Sequence, residues 1–180
     1  MLALTHAHPD HWGAAPALCA ALGVPVACHD ADADVVIGKT TAGNGLAFRM
    51  GKLFLEGGPC GEVVRLREGD RVGDFRVVHA PGHSDGHVIY FRDSDGLAII
   101  GDLVNTMDMW TRRTRIAEPP ANLSVDAEEN RRSIQKLVRL GPSLVLPGHG
   151  APLRDMSLLA EFAALLAPDS VSQTARSATA

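Results

Sequence analysis

The 180-residue chain contains no apolar run approaching the roughly 20 residues needed to cross a bilayer, so no transmembrane helix and no membrane partner are expected. Its opening, "MLALTHAHPDHWG", lacks the basic segment and cleavage site of a secretory signal. There is no excess of basic charge either. A net charge of −4 argues against a nucleic-acid binder that works by neutralising phosphates. Cysteine is scarce: Cys19, Cys28 and Cys60 are odd in number, widely spaced and without a C-x-x-C pair. That rules against a disulfide framework and a cysteine zinc knuckle, and a reducing cytoplasm is the expected location. No internal repeat is present.

The composition, 46% hydrophobic and 21% charged, suits one globular domain with a sizeable core. Residues 1–167 are expected to form it, with the small polar stretch 168–180 as a disordered tail. "MLAL" reads as a short strand, and "WGAAPALCAALG" as a helix capped by Gly23. "VPVACHD" reads as a second strand, followed by a short helical stretch at 31–37 and a Gly-rich loop. From residue 63, "EVVRL", "DFRVVHA", "HVIYFRD" and "LAIIGDL" should pair as a largely antiparallel meander, because Gly, Asp and Ser turns separate them. Ser124 should open a helix with Asp126, Glu128 and Glu129 in its first turn, where the helix dipole favours negative charge. Gly141-Pro142 should end it. "SLVLPGHG" is a buried strand entering a tight loop, and "MSLLAEFAALLA" a final helix. Strands with helices before, between and after them indicate an α/β domain of helices layered on sheet.

"THAHPDH", residues 5–11, holds three histidines and an aspartate. On an extended segment His6 and His8 point to one side. Pro9 cannot continue a strand, so the chain should turn there and carry Asp10 and His11 towards the same point. "APGHSDGH", "IIGD" and "PGHG" each lie where a strand should end, the usual place for chemistry in a layered sheet. They add His83, Asp102 and His149. Five imidazoles and two carboxylates suit a pair of borderline divalent ions, zinc first, with iron or manganese as alternatives. The other histidines have blander readings: His29 as structural or exposed, His79 as packing near its strand, and His87 as a supporting hydrogen bond. Gly82, Gly101, Gly148 and Gly150 read as turn residues that also let the backbone approach the metals.

"THAHPDH", "PGHSDGH", "GD" and "PGHG" in this order resemble the metallo-β-lactamase-fold hydrolases, whose signature is H-x-H-x-D-H followed by His, Asp and His. The resemblance runs over roughly residues 2–155. It implies an αββα sandwich, with His6, His8 and His83 on one metal, Asp10, His11 and His149 on the other, and Asp102 bridging. An aspartate at the bridging position is typical of the thioesterase, lactonase and phosphodiesterase branches and not of the β-lactam-hydrolysing members. The resemblance therefore implies a dinuclear-metal hydrolase of a small-molecule thioester, lactone or related ester. A metal-held water with its pKa lowered towards about 7 would be the nucleophile. Asp10 would orient it and pass its proton to the leaving group.

Two alternatives accompany that reading: a phosphodiesterase or nuclease of the same fold, disfavoured by the acidic balance, and a truncated metal-binding fragment without activity. Glyoxalase II-type members carry a C-terminal helical extension that grips glutathione, and only about 30 residues follow "PGHG", so a dedicated glutathione site is not expected. Segment 103–123 should form a flap over the metals, with Met107, Met109 and Trp110 as core or as an apolar wall. Arg112 and Arg113 read as solvated surface or as contacts to an anionic substrate. Family members place several strands before the H-x-H-x-D-H loop, whereas five residues precede His6. The sandwich is expected to be N-terminally incomplete, Met1 to be internal to a longer protein, and an exposed sheet face to favour self-association.

Overall fold

The structure is a computed structural model that describes residues 1–41, 58–108 and 111–167. Strand residues alternate between two apolar environments, and this alternation builds the layers. In β2 (Val26–His29), Ala27 faces one cluster while Val26 and Cys28 face another, all fully buried. In β5 (Phe75–His79) and β6 (Val88–Arg92), Val77, Val88 and Tyr90 join the cluster of Ala27, whereas Val78, Ile89 and Phe91 join a third. The shared cluster is the seam between two sheets. The other two lie beneath helices.

One sheet has the order β1-β2-β3, from β1 (Leu2–Ala3), β2 and β3 (Val63–Leu66), all parallel. Its outer face packs Leu4, Trp12, Ala15, Ala33 and Val36, from and around the helices α1 (Pro9–Trp12), α2 (Ala15–Leu22) and α3 (Ala33–Val36). The second sheet has the order β10-β7-β6-β5-β4, with β4 (Arg71–Val72), β7 (Leu97–Gly101) and β10 (Leu144–Pro147). Its outer face packs Ile134 and Leu137 of α4 (Ala127–Leu140) and Leu159 and Ala163 of α5 (Met156–Leu165). The result is helix, sheet, sheet, helix. A separate hairpin, β8 (Asn105–Met107) with β9 (Thr114–Ala117), follows the second sheet.

Several expectations hold at the level of single elements. Gly23 ends α2 and Gly141 ends α4 in the left-handed conformation (φ +64° for each), which glycine adopts without a Cβ penalty. The stretch 31–37 is helical, as a 3-10 turn over Asp30–Asp32 followed by α3. The Gly-rich loop at 42–57, Met109, Trp110 and the tail 168–180 lie outside the described residues.

Two expectations are corrected. The strands from residue 63 do not form one meander: β4 to β7 pair antiparallel in sequence, but β3 leaves them and runs parallel to β2 in the other sheet. That placement sends Leu66 into the seam between the sheets, a long-range gain that the turn "REGD" does not reveal. Ser124 does not open α4. Asp126 is the N-cap, its carboxylate accepting from the Glu129 N–H at 2.9 Å; an aspartate caps as well as a serine, and its negative charge also faces the dipole.

Candidate metal centre

All seven candidate side chains meet on one edge of the sandwich. His6 and His8 leave β1 on an extended segment, and α1 begins at once with Pro9 in its first turn, where its missing N–H costs nothing. The His11 N–H donates to the His8 carbonyl at 2.9 Å, so Asp10 and His11 are turned back towards His6. His83 follows β5 on a loop braced by the start of α4: the Asp126 N–H donates to the Gly82 carbonyl at 2.8 Å and the Ser133 hydroxyl to the Pro81 carbonyl at 2.8 Å. Asp102 directly follows β7. His149 follows β10, whose loop is tied to β7 by the Gly148 N–H donating to the Gly101 carbonyl at 2.7 Å.

These approaches create two outer donor groups and a third set that links them. Ligand atoms of His6, His8 and His83 lie within 4.8 Å of one another, as do those of Asp10, His11 and His149, and those of His6, His11 and Asp102. Asp102 stands between them. Its Oδ1 is 3.2 Å from His11 Nε2, and its Oδ2 is 3.3 Å from His149 Nε2 and 3.6 Å from His83 Nε2. Asp10 Oδ2 is 3.2 Å from His149 Nε2 and 3.5 Å from His11 Nε2. The two groups differ in exposure. His6, His8 and His83 are buried, whereas the Asp10 side chain is 42% exposed and that of His149 22%.

Protonation follows that division. Burial pushes the imidazoles of His8 and His83 down to about 4 and about 2, and lowers His6 well below its ordinary value. Hydrogen bonds to Asp10 and Asp102 instead raise His149 to about 10. Burial works against ionisation of Asp102, but the hydrogen bonds with His11 and His149 outweigh it and hold the carboxyl well below the usual range. The second group thus sets a protonated His149 against two carboxylates.

The metallo-beta-lactamase superfamily model matches residues 2–149. The chain belongs to that superfamily. It is 31% identical over 168 residues to the protein called "Probable metallo-hydrolase YflN" of Bacillus subtilis (strain 168), an overlap of 83% of this chain and 64% of that one. It is 33% identical over 172 residues to the hydroxyacylglutathione hydrolase of Cereibacter sphaeroides (strain ATCC 17029 / ATH 2.4.9), covering 93% of this chain and 53% of that one. The chain therefore spans less than two thirds of the length of these curated relatives. Among solved structures, TTHA1623 in a di-iron-bound form superposes with a TM-score of 0.65 at 33% identity, over 88% of this chain and 73% of that one. The archaeal superfamily protein ST1585 of Sulfolobus tokodaii, at 19% identity and TM-score 0.66, over 92% of this chain and 67% of that one, shares the fold.

The superfamily fold implies divalent metal ions, and the donor set of this chain fits them. Nε2 of His6 and of His83 is buried with no hydrogen-bond partner, an arrangement that costs free energy in a finished core. Their other ring nitrogens are held, His6 Nδ1 by the Thr5 hydroxyl and His83 Nδ1 by the Ser124 hydroxyl, both at 3.2 Å. A neutral ring pinned through Nδ1 presents its Nε2 lone pair to a cation. Gly148 adds a steric argument: a Cβ there would collide with Asp102 Oδ1 and come within 2.6 Å of His11. Only glycine lets the β10 loop approach this closely.

The remaining histidines divide as expected. His87 is fully buried, and its Nε2 accepts a hydrogen bond from the Asp102 N–H at 3.2 Å. His79 ends β5 and stacks on His29 with ring centroids 3.9 Å apart, away from the donor groups. The described part of the expected flap docks on the loop of His149, the Thr106 N–H donating to the His149 carbonyl at 3.1 Å. Met107 is half-buried, and Arg112 and Arg113 are exposed. Ser124, expected to open a helix, instead holds His83. Asp32 is buried beside both histidine loops, and in "HDADADVV" no local signal separates it from Asp30 or Asp34.

Proposed function

We propose that the chain carries a dinuclear-metal hydrolase that cleaves a thioester, lactone or related ester of a small molecule. The observation that carries this reading is Asp102: one carboxylate faces imidazoles of both donor groups, which is the placement a bridging ligand needs. His6, His8 and His83 would hold one ion, and Asp10, His11 and His149 the other. Imidazole and carboxylate donors without thiolate suit zinc first, then iron or manganese. Two such ions supply, when bound, a water acidified towards a pKa of about 7 and a Lewis acid for the scissile carbonyl.

The protein's own groups account for the rest. The half-exposed Asp10 carboxylate is open to the solvent side, where it can hold the attacking water and move its proton to the leaving group. The buried imidazoles are kept neutral, so they compete for no proton in the pH range of ester hydrolysis. Relatives called metallo-hydrolase and hydroxyacylglutathione hydrolase support hydrolytic chemistry, the latter on a thioester.

The test combines metal content with turnover of three substrates: a thioester, a lactone and bis(p-nitrophenyl) phosphate. Two metals per chain with thioester or lactone turnover is the expected result. Preferential phosphodiester turnover would transfer the site to the nuclease-like reading, and two bound metals with no turnover would make the chain a metal-binding fragment.

A further inference from the structure

Asp32 is the last residue of the 3-10 turn that follows β2, and it is only 4% exposed. Its carboxylate accepts three hydrogen bonds. Oδ2 accepts from the Ala7 N–H at 2.9 Å and from the Ser84 hydroxyl at 2.9 Å, and Oδ1 accepts from the Gly86 N–H at 2.8 Å. Ala7 lies between His6 and His8. Ser84 and Gly86 lie between His83 and His87. The two loops belong to different sheets, one leaving β1 and the other joining β5 to β6.

We propose that Asp32 is a positioning residue of the metal centre, its buried carboxylate clamping the His6–His8 loop to the His83–His87 loop and so setting the spacing of the three imidazoles. The inference rests on the metal reading above and adds a residue that touches no ion. A carboxylate suits the task because it accepts only, and all three partners donate. Hydrogen bonds to an ionised acceptor are roughly twice as strong as neutral ones, which offsets the burial that pushes this carboxyl's pKa upward. The fit is tight: a Cβ on Gly86 would sit 2.5 Å from Asp32 Cγ. Other ties join the loops to the sandwich, such as the Val88 N–H donating to the Thr5 carbonyl at 2.8 Å. Asp32 contacts both the backbone between the metal-facing histidines of the first loop and the residue after His83 in the second.

The experiment compares the 180-residue chain with Asp32→Asn, Ser84→Ala and Asp30→Asn, using zinc as the probe in competition with a chromophoric chelator. Amide hydrogen exchange at Ala7 and Gly86 is followed in the metal-free proteins. Asparagine keeps the shape but turns an NH2 towards at least one of the three donors. Zinc affinity should fall 10–100-fold in Asp32→Asn, the usual cost of losing an outer partner of a metal ligand. It should fall about fivefold in Ser84→Ala, which removes one hydrogen bond of the three. Asp30, half-buried and paired with Arg65 at 2.7 Å, should leave affinity unchanged when replaced. The Ala7 and Gly86 amides should exchange at least about tenfold faster in Asp32→Asn than in the parent, beyond any change shared by the whole chain.

A purely structural role lowers the melting temperature without moving the affinity of the folded protein or singling out those two amides, and that result overturns the proposal. If Asp32→Asn does not fold, parent-like zinc affinity in Ser84→Ala overturns it instead. A parent chain that takes no zinc sinks the metal reading. The two amides in the metal-free chain still decide whether the clamp exists.

Discussion

His87 accepts a hydrogen bond at Nε2 from the backbone N–H of Asp102, 3.2 Å away, and both residues are buried. The bond fixes the backbone of the carboxylate that stands between the two donor groups. His87→Ala should orphan a buried N–H, at about 1–3 kcal/mol, and leave a cavity besides. Denaturant unfolding of the metal-free chain should show that loss, and metal affinity should fall with it. Unchanged stability would mean that the Asp102 N–H finds water instead.

Asp102→Ala should bind no more than one metal and lose nearly all turnover. The substitution removes the carboxylate that would compensate two neighbouring cations, and leaves His11, His83 and His149 facing one another. Metal analysis after dialysis, paired with a thioester assay, checks this. Two retained metals with parent-like turnover would contradict the bridge.

Gly148→Ala should fold yet lose metal, because the added Cβ meets Asp102 and His11 while the rest of the β10 loop stays exposed or half-buried. Far-UV circular dichroism should match the parent, with zinc stoichiometry reduced at the group of Asp10, His11 and His149. His29→Ala, by contrast, should leave zinc stoichiometry unchanged, since His29 contacts His79 and the Ala31 N–H instead of either donor group.

The metal-free chain should be acid-sensitive. Burial depresses His8 to about 4, His83 to about 2 and His87 to about 3, all below the unfolded value of roughly 6.5. The unfolded state therefore binds more protons as pH falls, and the stability these groups contribute above about pH 6.5 is lost progressively below it. Each imidazole held neutral adds a slope of about 1.4 kcal/mol per pH unit, so three give about 4. His149, raised to about 10, has the opposite sign: its contribution is complete below about pH 6.5 and fades as pH rises through about 10. Urea midpoints measured from pH 7.5 to 5 should fall steeply. A flat profile would show that the histidines are hydrated.

The seven candidate ligands were legible because their signal is local. His6 and His8 share a side by strand alternation, Pro9 forces the turn that returns Asp10 and His11, and His83, Asp102 and His149 each follow a readable strand. The caps at Gly23 and Gly141 were equally plain, since a helix end is decided within a few residues. Tertiary structure alone decided which sheet takes β3, that Ser124 holds His83 in place of capping α4, and that Asp32 among three neighbouring aspartates is the buried one. Those outcomes depend on partners 25 to 54 residues away in the chain. Hydrophobic period and capping chemistry report what a residue does to its neighbours in sequence; whether a carboxylate is solvated or clamped between two loops depends on which donors the packed sheets bring to it.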